Sequence, residues 1–152
     1  MATFGHGRKR ELLVGTVLNP NSPSFDLKPF LTDVSSDESI DQEEQTTLSA
    51  IDIGGAKTFL YGNSGETGEL TVQYDKEGEL INWYQDVKNQ GVEDEDFNIM
   101  VHDFPFGNAS GMWYFARPIK ISGRRLAGGS AAKIAGSIPF QRSGELQVLQ
   151  VP

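Results

Sequence analysis

The sequence predicts a mainly β protein: an antiparallel β-sandwich or barrel-like domain with one flanking α-helix and a long acidic loop. Several short segments alternate apolar and polar residues with period two, the pattern of strands that put one face on a core and the other in water. Only 38% of the residues are apolar while Gly reaches 17, which fits a thin-cored sheet protein with many turns. A single window carries helical periodicity instead. At 152 residues the chain has the length of one domain, residues 1–152, able to bury roughly two thirds of the surface its unfolded form exposes.

The elements follow in chain order. Glu11 to Leu18 reads as a first strand, and Pro20, Pro23 and Pro29 make residues 19–29 a loop. Residues 34–57 hold few apolar side chains, and the six acids from Asp33 to Glu44 have no base among them. Such a stretch buries little surface, so a long exposed loop or strand pair is expected at about 34–57, gaining its order from a partner. Lys57 to Tyr61 reads as a strand, GNSG at 62–65 as a turn, and Leu70, Val72 and Tyr74 mark the next strand. In GELINWYQDVKNQG, Leu80, Ile81, Tyr84, Val87 and Lys88 fall at helical spacing, which predicts a helix at about 78–89 stopped by Gly91. Phe97, Ile99 and Val101 predict a strand, as do Ile119 and Ile121 within Arg117 to Leu126. Ile134, Ile138 and Phe140 mark another, and ELQVLQV the last.

Charge is divided unevenly. Residues 33–103 hold 18 of the 21 acidic side chains against three lysines, whereas residues 104–152 carry six basic groups against Glu145 alone. Opposite-signed surfaces on one domain are complementary to a second copy, which favours head-to-tail association. With no cysteine, neither a disulfide framework nor thiolate chemistry is available, and folding in a reducing cytosol is permitted. The apolar run after Arg8-Lys9-Arg10 is too short for a signal-peptide core or a membrane span, so a soluble, unprocessed chain with no membrane partner is expected.

Motifs for chemistry fail one by one. In GGAKT at 54–58, Ala56 stands where a phosphate-binding loop needs glycine before the lysine, and no G-x-S-x-G occurs. His6 and His102 lack further ligands at metal-site spacing. His102 and Asp103 are strand neighbours, whose side chains diverge. Glu93-Asp94-Glu95-Asp96 lacks the alternation and glycine of a calcium loop and reads as a solvated turn. Phe104, Phe106, Trp113, Tyr114 and Phe115 offer stacking surface near Arg117 and Lys120, but aromatics flanking a turn read first as core or interface packing. Asn108-Ala109-Ser110 is a sequon by chance. No enzyme, cofactor or metal is expected.

Taken in order, MATFGHGRKRELLVGT, FDLKPFLTDVSSDESIDQEEQTT, AKTFLYGNSGETGELTVQYD, the helix and IAGSIPFQRSGELQVL resemble the tail tube (major tail) proteins of tailed bacteriophages. The resemblance covers most of the chain and lies in the order of elements more than in any one motif. It implies a β-sandwich flanked by a helix, subunits closing into hexameric rings, and rings stacking into a hollow tube for genome passage. It also implies a long loop that reaches the adjacent ring, placed here at about 42–58. The implied partners are further copies of the chain, other phage tail proteins and DNA in transient, non-specific passage. The implied location is the virion tail after synthesis in the host cytoplasm.

Each phosphate neutralised by a cationic wall releases counterions and adds affinity, so an acidic wall suits a duplex that must slide. Asp37, Glu38, Asp41, Glu43 and Glu44 are therefore expected at the lumen or between rings. Lys120, Arg124, Arg125 and Lys133 are expected to meet acidic surface on a neighbouring subunit. Two rivals stand beside this reading: a capsid decoration or head-to-tail joining protein, and a small ligand-binding or hydrolytic β domain, for carbohydrate through Trp83, Trp113 and Tyr114.

Overall fold

The computed structural model describes residues 2–44 and 59–152. Its strands are β1 (Glu11–Val14), β2 (Phe25–Asp26), β3 (Leu31–Glu44), β4 (Phe59–Gln73), β5 (Ile99–Phe104), β6 (Trp113–Ile121), β7 (Arg125–Ala127), β8 (Ala135–Arg142) and β9 (Gln147–Gln150). The α-helix of the described residues, α1, spans Glu79–Glu93. All strand pairings are antiparallel, in the order β2-β1-β5-β6-β8-β4-β3, with β9 added to β6 and β7 to β8. The path ends at β2 and β3, so the sheet is open and the barrel alternative does not hold.

The period-two pattern places the core. Leu12 and Val14 of β1, Ile99 and Val101 of β5, Ile119 of β6, Ile138 and Phe140 of β8, and Leu70 and Val72 of β4 are all buried in one cluster. Helix α1 closes over it with Leu80, Trp83, Tyr84 and Val87. Each such side chain removed from water contributes about 1.5–3 kcal/mol. The Trp83 indole N–H donates to the Gly15 carbonyl at 2.9 Å, which fixes the helix to the end of β1.

Several boundaries differ from the sequence reading. Helix α1 runs through Gly91 to Glu93 and is capped by Asp94, whose N–H donates to the Gln90 carbonyl. Continued hydrogen bonding outweighs the roughly 1 kcal/mol that a helical glycine costs. At the other end Gly78 adopts φ 79°, and the Asp75 carboxylate accepts from the N–H groups of Glu79 and Leu80 at 3.0 and 3.3 Å. The loop expected at 19–29 contains the two-residue β2.

The largest difference is in the acidic stretch. Residues 34–44 are not loop but strand, the greater part of β3, which pairs with β4 from Leu31↔Val72 to Glu44↔Phe59. The rest of the expected loop, residues 45–57, lies outside the described residues. GNSG at 62–65 is not a turn either, since it lies inside β4. Neither half carries an apolar alternation, because this part of the ribbon has no core beneath it.

Candidate assembly surface

Strand β8 pairs with β4 only from Thr67 to Gln73. Beyond Thr67, among the described residues, the β3–β4 pair therefore continues as a two-stranded ribbon, over residues 38–44 and 59–66, with Asp37 at its base opposite Thr67. At about 3.3 Å per residue this ribbon is roughly 25 Å long. Asp37, Glu38 and Asp41 are exposed on it, and the backbones of Glu43 and Glu44 pair with Leu60 and Phe59. Four of the predicted acids thus belong to the paired register of β3, and Asp41 sits where that register slips between Ile40 and Gln42.

Where the ribbon leaves the body, the inward face of the sheet changes from apolar to charged. Two positions beyond Val101 stands Asp103, and two before Ile119 stands Arg117. Two before Leu12 stands Arg10, and two beyond Phe140 stands Arg142. Glu66 and Glu38 lie four positions past Leu70 and Val34, with Gly68 and Ser36 between. Gly68 is required there, because a Cβ on it would meet the Phe140 ring and the Ser35 carbonyl.

These six side chains alternate in sign and form one connected row across the sheet. Arg10 donates to both oxygens of Asp103, at 2.9 and 2.6 Å, and to the Val34 carbonyl at 3.1 Å. Arg117 donates to Asp103 at 2.9 Å and to Glu66 at 2.7 Å. Arg142 lies 3.8 Å from Glu66, donates to Glu38 at 3.0 Å, and reaches Ser64 Oγ at 2.6 Å. Asp103 is only 1% exposed, and two guanidinium groups pair with it there. In return the Asp103 hydrogen bond raises the Arg10 pKa above its ordinary value, against the opposing effect of burial.

Glu38 was predicted as an acid of the lumen or ring interface, and it is also the exposed terminus of this row. The other members are not among the predicted site residues. The signal for them is parity: Asp103, Arg117 and Arg142 are charged side chains at the inward positions of otherwise apolar alternations.

The predicted basic residues gather near the opposite end of β6. Lys120 donates to the Glu95 carbonyl, and the Arg124 guanidinium lies 5.4 Å from the centre of the Tyr84 ring. Arg125 and Lys133 are exposed on the β7–β8 hairpin, and the Arg125 carbonyl accepts from the Tyr74 hydroxyl at 2.9 Å. Burial pushes the Tyr74 phenol pKa up.

The aromatic group divides. Phe104 is buried and stacks on Tyr114 at 4.7 Å, Phe115 lies beneath Arg117 at 5.0 Å, and Trp113 and Phe106 remain half exposed. Arg117 is committed to Glu66 and Asp103 rather than open to phosphates. Trp83, a predicted sugar contact, is a core residue stacked on Phe25. His102 and Asp103 do diverge: the imidazole packs on Phe104 and Tyr114 while the carboxylate joins the row.

No family model matches the chain, and no curated protein sequence matches it significantly. Solved structures do. A chain from the C6-symmetric tail of an empty gene transfer agent particle superposes with a TM-score of 0.67 at 12% identity, covering 96% of this chain and 99% of that one. A chain of the native gene transfer agent virion gives 0.63 at 12% identity, with the same coverage. The SPP1 tail tube gives 0.67 at 14% identity, covering 97% of this chain and 80% of that one. The chain has the fold of a phage tail tube protein.

Proposed function

We propose that this chain is the structural subunit of a phage-type tail tube, closing into rings of six that stack into a hollow conduit for a genome. The observation that carries this reading is the likeness over nearly the whole chain to subunits of two tails, one of them a tube and one of C6 symmetry. The ribbon supports it independently. Two strands alone are marginally stable in water, and among the described residues β3 presents a free edge, which supplies hydrogen-bonding groups to an incoming strand.

On this reading Asp37, Glu38, Asp41, Glu43 and Glu44 face the lumen or the next ring, where acid repels the passing duplex. The basic side chains Lys120, Arg124, Arg125 and Lys133 meet acidic surface on a neighbour. The subunit works in the virion tail, with other tail proteins, after synthesis in the host cytoplasm, and its role is assembly rather than catalysis.

Electron microscopy of the purified protein, alone and with tail-initiating proteins, tests the proposal. Hollow filaments of uniform width are expected. A protein that instead remains monomeric or trimeric and binds preformed capsids is a decoration protein, and the tube reading then fails.

A further inference from the structure

Between the C-terminal half of α1 and the end of β6 lies a groove of about 330 Å³, with Val87, Val92, Phe97, Ile119 and Ile121 among its lining residues. Val92 is 80% exposed at its rim. Directly after it comes the exposed turn Glu93-Asp94-Glu95-Asp96. Two cations, Lys88 and Lys120, also line the groove, and Lys120 is engaged by the Glu95 carbonyl. The groove is therefore apolar with two lysines in its lining, and the acidic turn stands beside it.

The β7–β8 hairpin has the opposite character. No acid occurs between Pro118 and Gly144. Leu126 and Ile134 are 55% and 46% exposed on the hairpin, flanked by the exposed Arg125 and Lys133. The hairpin is held to its own sheet by the β7–β8 pairing and by the Tyr74 hydroxyl on the Arg125 carbonyl. It thus presents its apolar and basic side chains outward while occupied along its base.

We propose that the β7–β8 hairpin of a second copy seats in the groove beside α1, with Leu126 and Ile134 against Val92 and Arg125 and Lys133 against Glu93 to Asp96. Each copy then offers a hairpin and a groove, a heterologous contact that propagates into a ring or a helix. Apolar side chains supply burial, and the charges set register and reject wrong partners. The inference deepens the tube reading and draws on it for the closure of the contact.

The absence of cysteine from the chain makes the test clean. Val92→Cys and Leu126→Cys are prepared as separate proteins, mixed under assembly conditions and oxidised mildly. A disulfide-linked dimer is expected from the mixture and not from either protein alone. Filaments without that cross-link overturn the contact while leaving the tube reading in place. The cross-link without filaments upholds the contact and removes the tube reading, and neither product removes both. A doubly substituted chain that links only within itself also overturns the proposal.

Charge exchange gives a second readout. Arg125→Glu raises the concentration needed for assembly about tenfold or more, because it sets like charges opposite one another. Glu93→Arg in the same chain brings it back. Assembly indifferent to both substitutions, in variants with unchanged circular dichroism, overturns the proposal.

Discussion

The body of the sheet and the ribbon of β3 and β4 are built from the same kind of strand but satisfy different demands. In the body each strand sends alternate side chains into a core that α1 closes, so that core is built within one chain. Among the described residues the ribbon has no third strand beyond Thr67, and Asp37, Glu38 and Asp41 are exposed on it. The charged row from Arg10 to Glu38 marks the border between them. The difference teaches where to look for each property: folding free energy lies on the core side of the row, while the ribbon beyond it is, in the proposed tube, one of the surfaces left for association.

The sharpest way to break that division is at the row itself. Asp103→Ala leaves Arg10 and Arg117 without their shared carboxylate, and removing one partner from a buried pair costs about 3–5 kcal/mol. Chemical denaturation of the subunit is expected to show this loss, and a change under about 1 kcal/mol would mean that the row is not buried in solution. Leu70→Ala, inside the core, is expected to cost about 2–5 kcal/mol in the same measurement.

The ribbon should behave in the opposite manner. Asp37→Asn together with Asp41→Asn is expected to change subunit stability by no more than about 0.5 kcal/mol. The salt dependence of assembly, read by light scattering, should nevertheless shift. Loss of folding in this variant would erase the distinction between the two regions.

The smallest effect concerns His102, on the outward side of β5. Burial lowers its pKa below the ordinary 6.5, so the unfolded chain binds more protons between the two values. Its contribution to stability is complete above about pH 6.5 and is lost as pH falls through the folded-state value. Melting temperatures from about pH 7.5 to about pH 5 should fall in the native chain and fall less in His102→Gln. Equal slopes would remove His102 from the account.

These regions were unequally legible in the sequence. Leu70, Val72, Ile99, Val101, Ile138 and Phe140 announced their strands because a one-sided core imposes alternation, and all six are buried. The Tyr84 and Val87 spacing announced α1 for the same reason. The β3–β4 ribbon was half legible, because a strand pair without a core beneath it leaves only acid and turn-forming residues in the sequence. The charged row is written in the sequence as parity: Arg117, which the sequence offers only as a base beside the aromatic cluster, stands two residues from Ile119 and points the same way. Helix α1 outran its expected stop because Gly91 permits a left-handed turn without compelling one.

The division of labour rests finally on the chain associating with itself. Sedimentation velocity of the purified 16.7 kDa protein, across concentration and salt and with its assembly partners, measures this directly. Large species that grow with concentration and respond to ionic strength are the expected result. A single monomer boundary under every one of those conditions would contradict it.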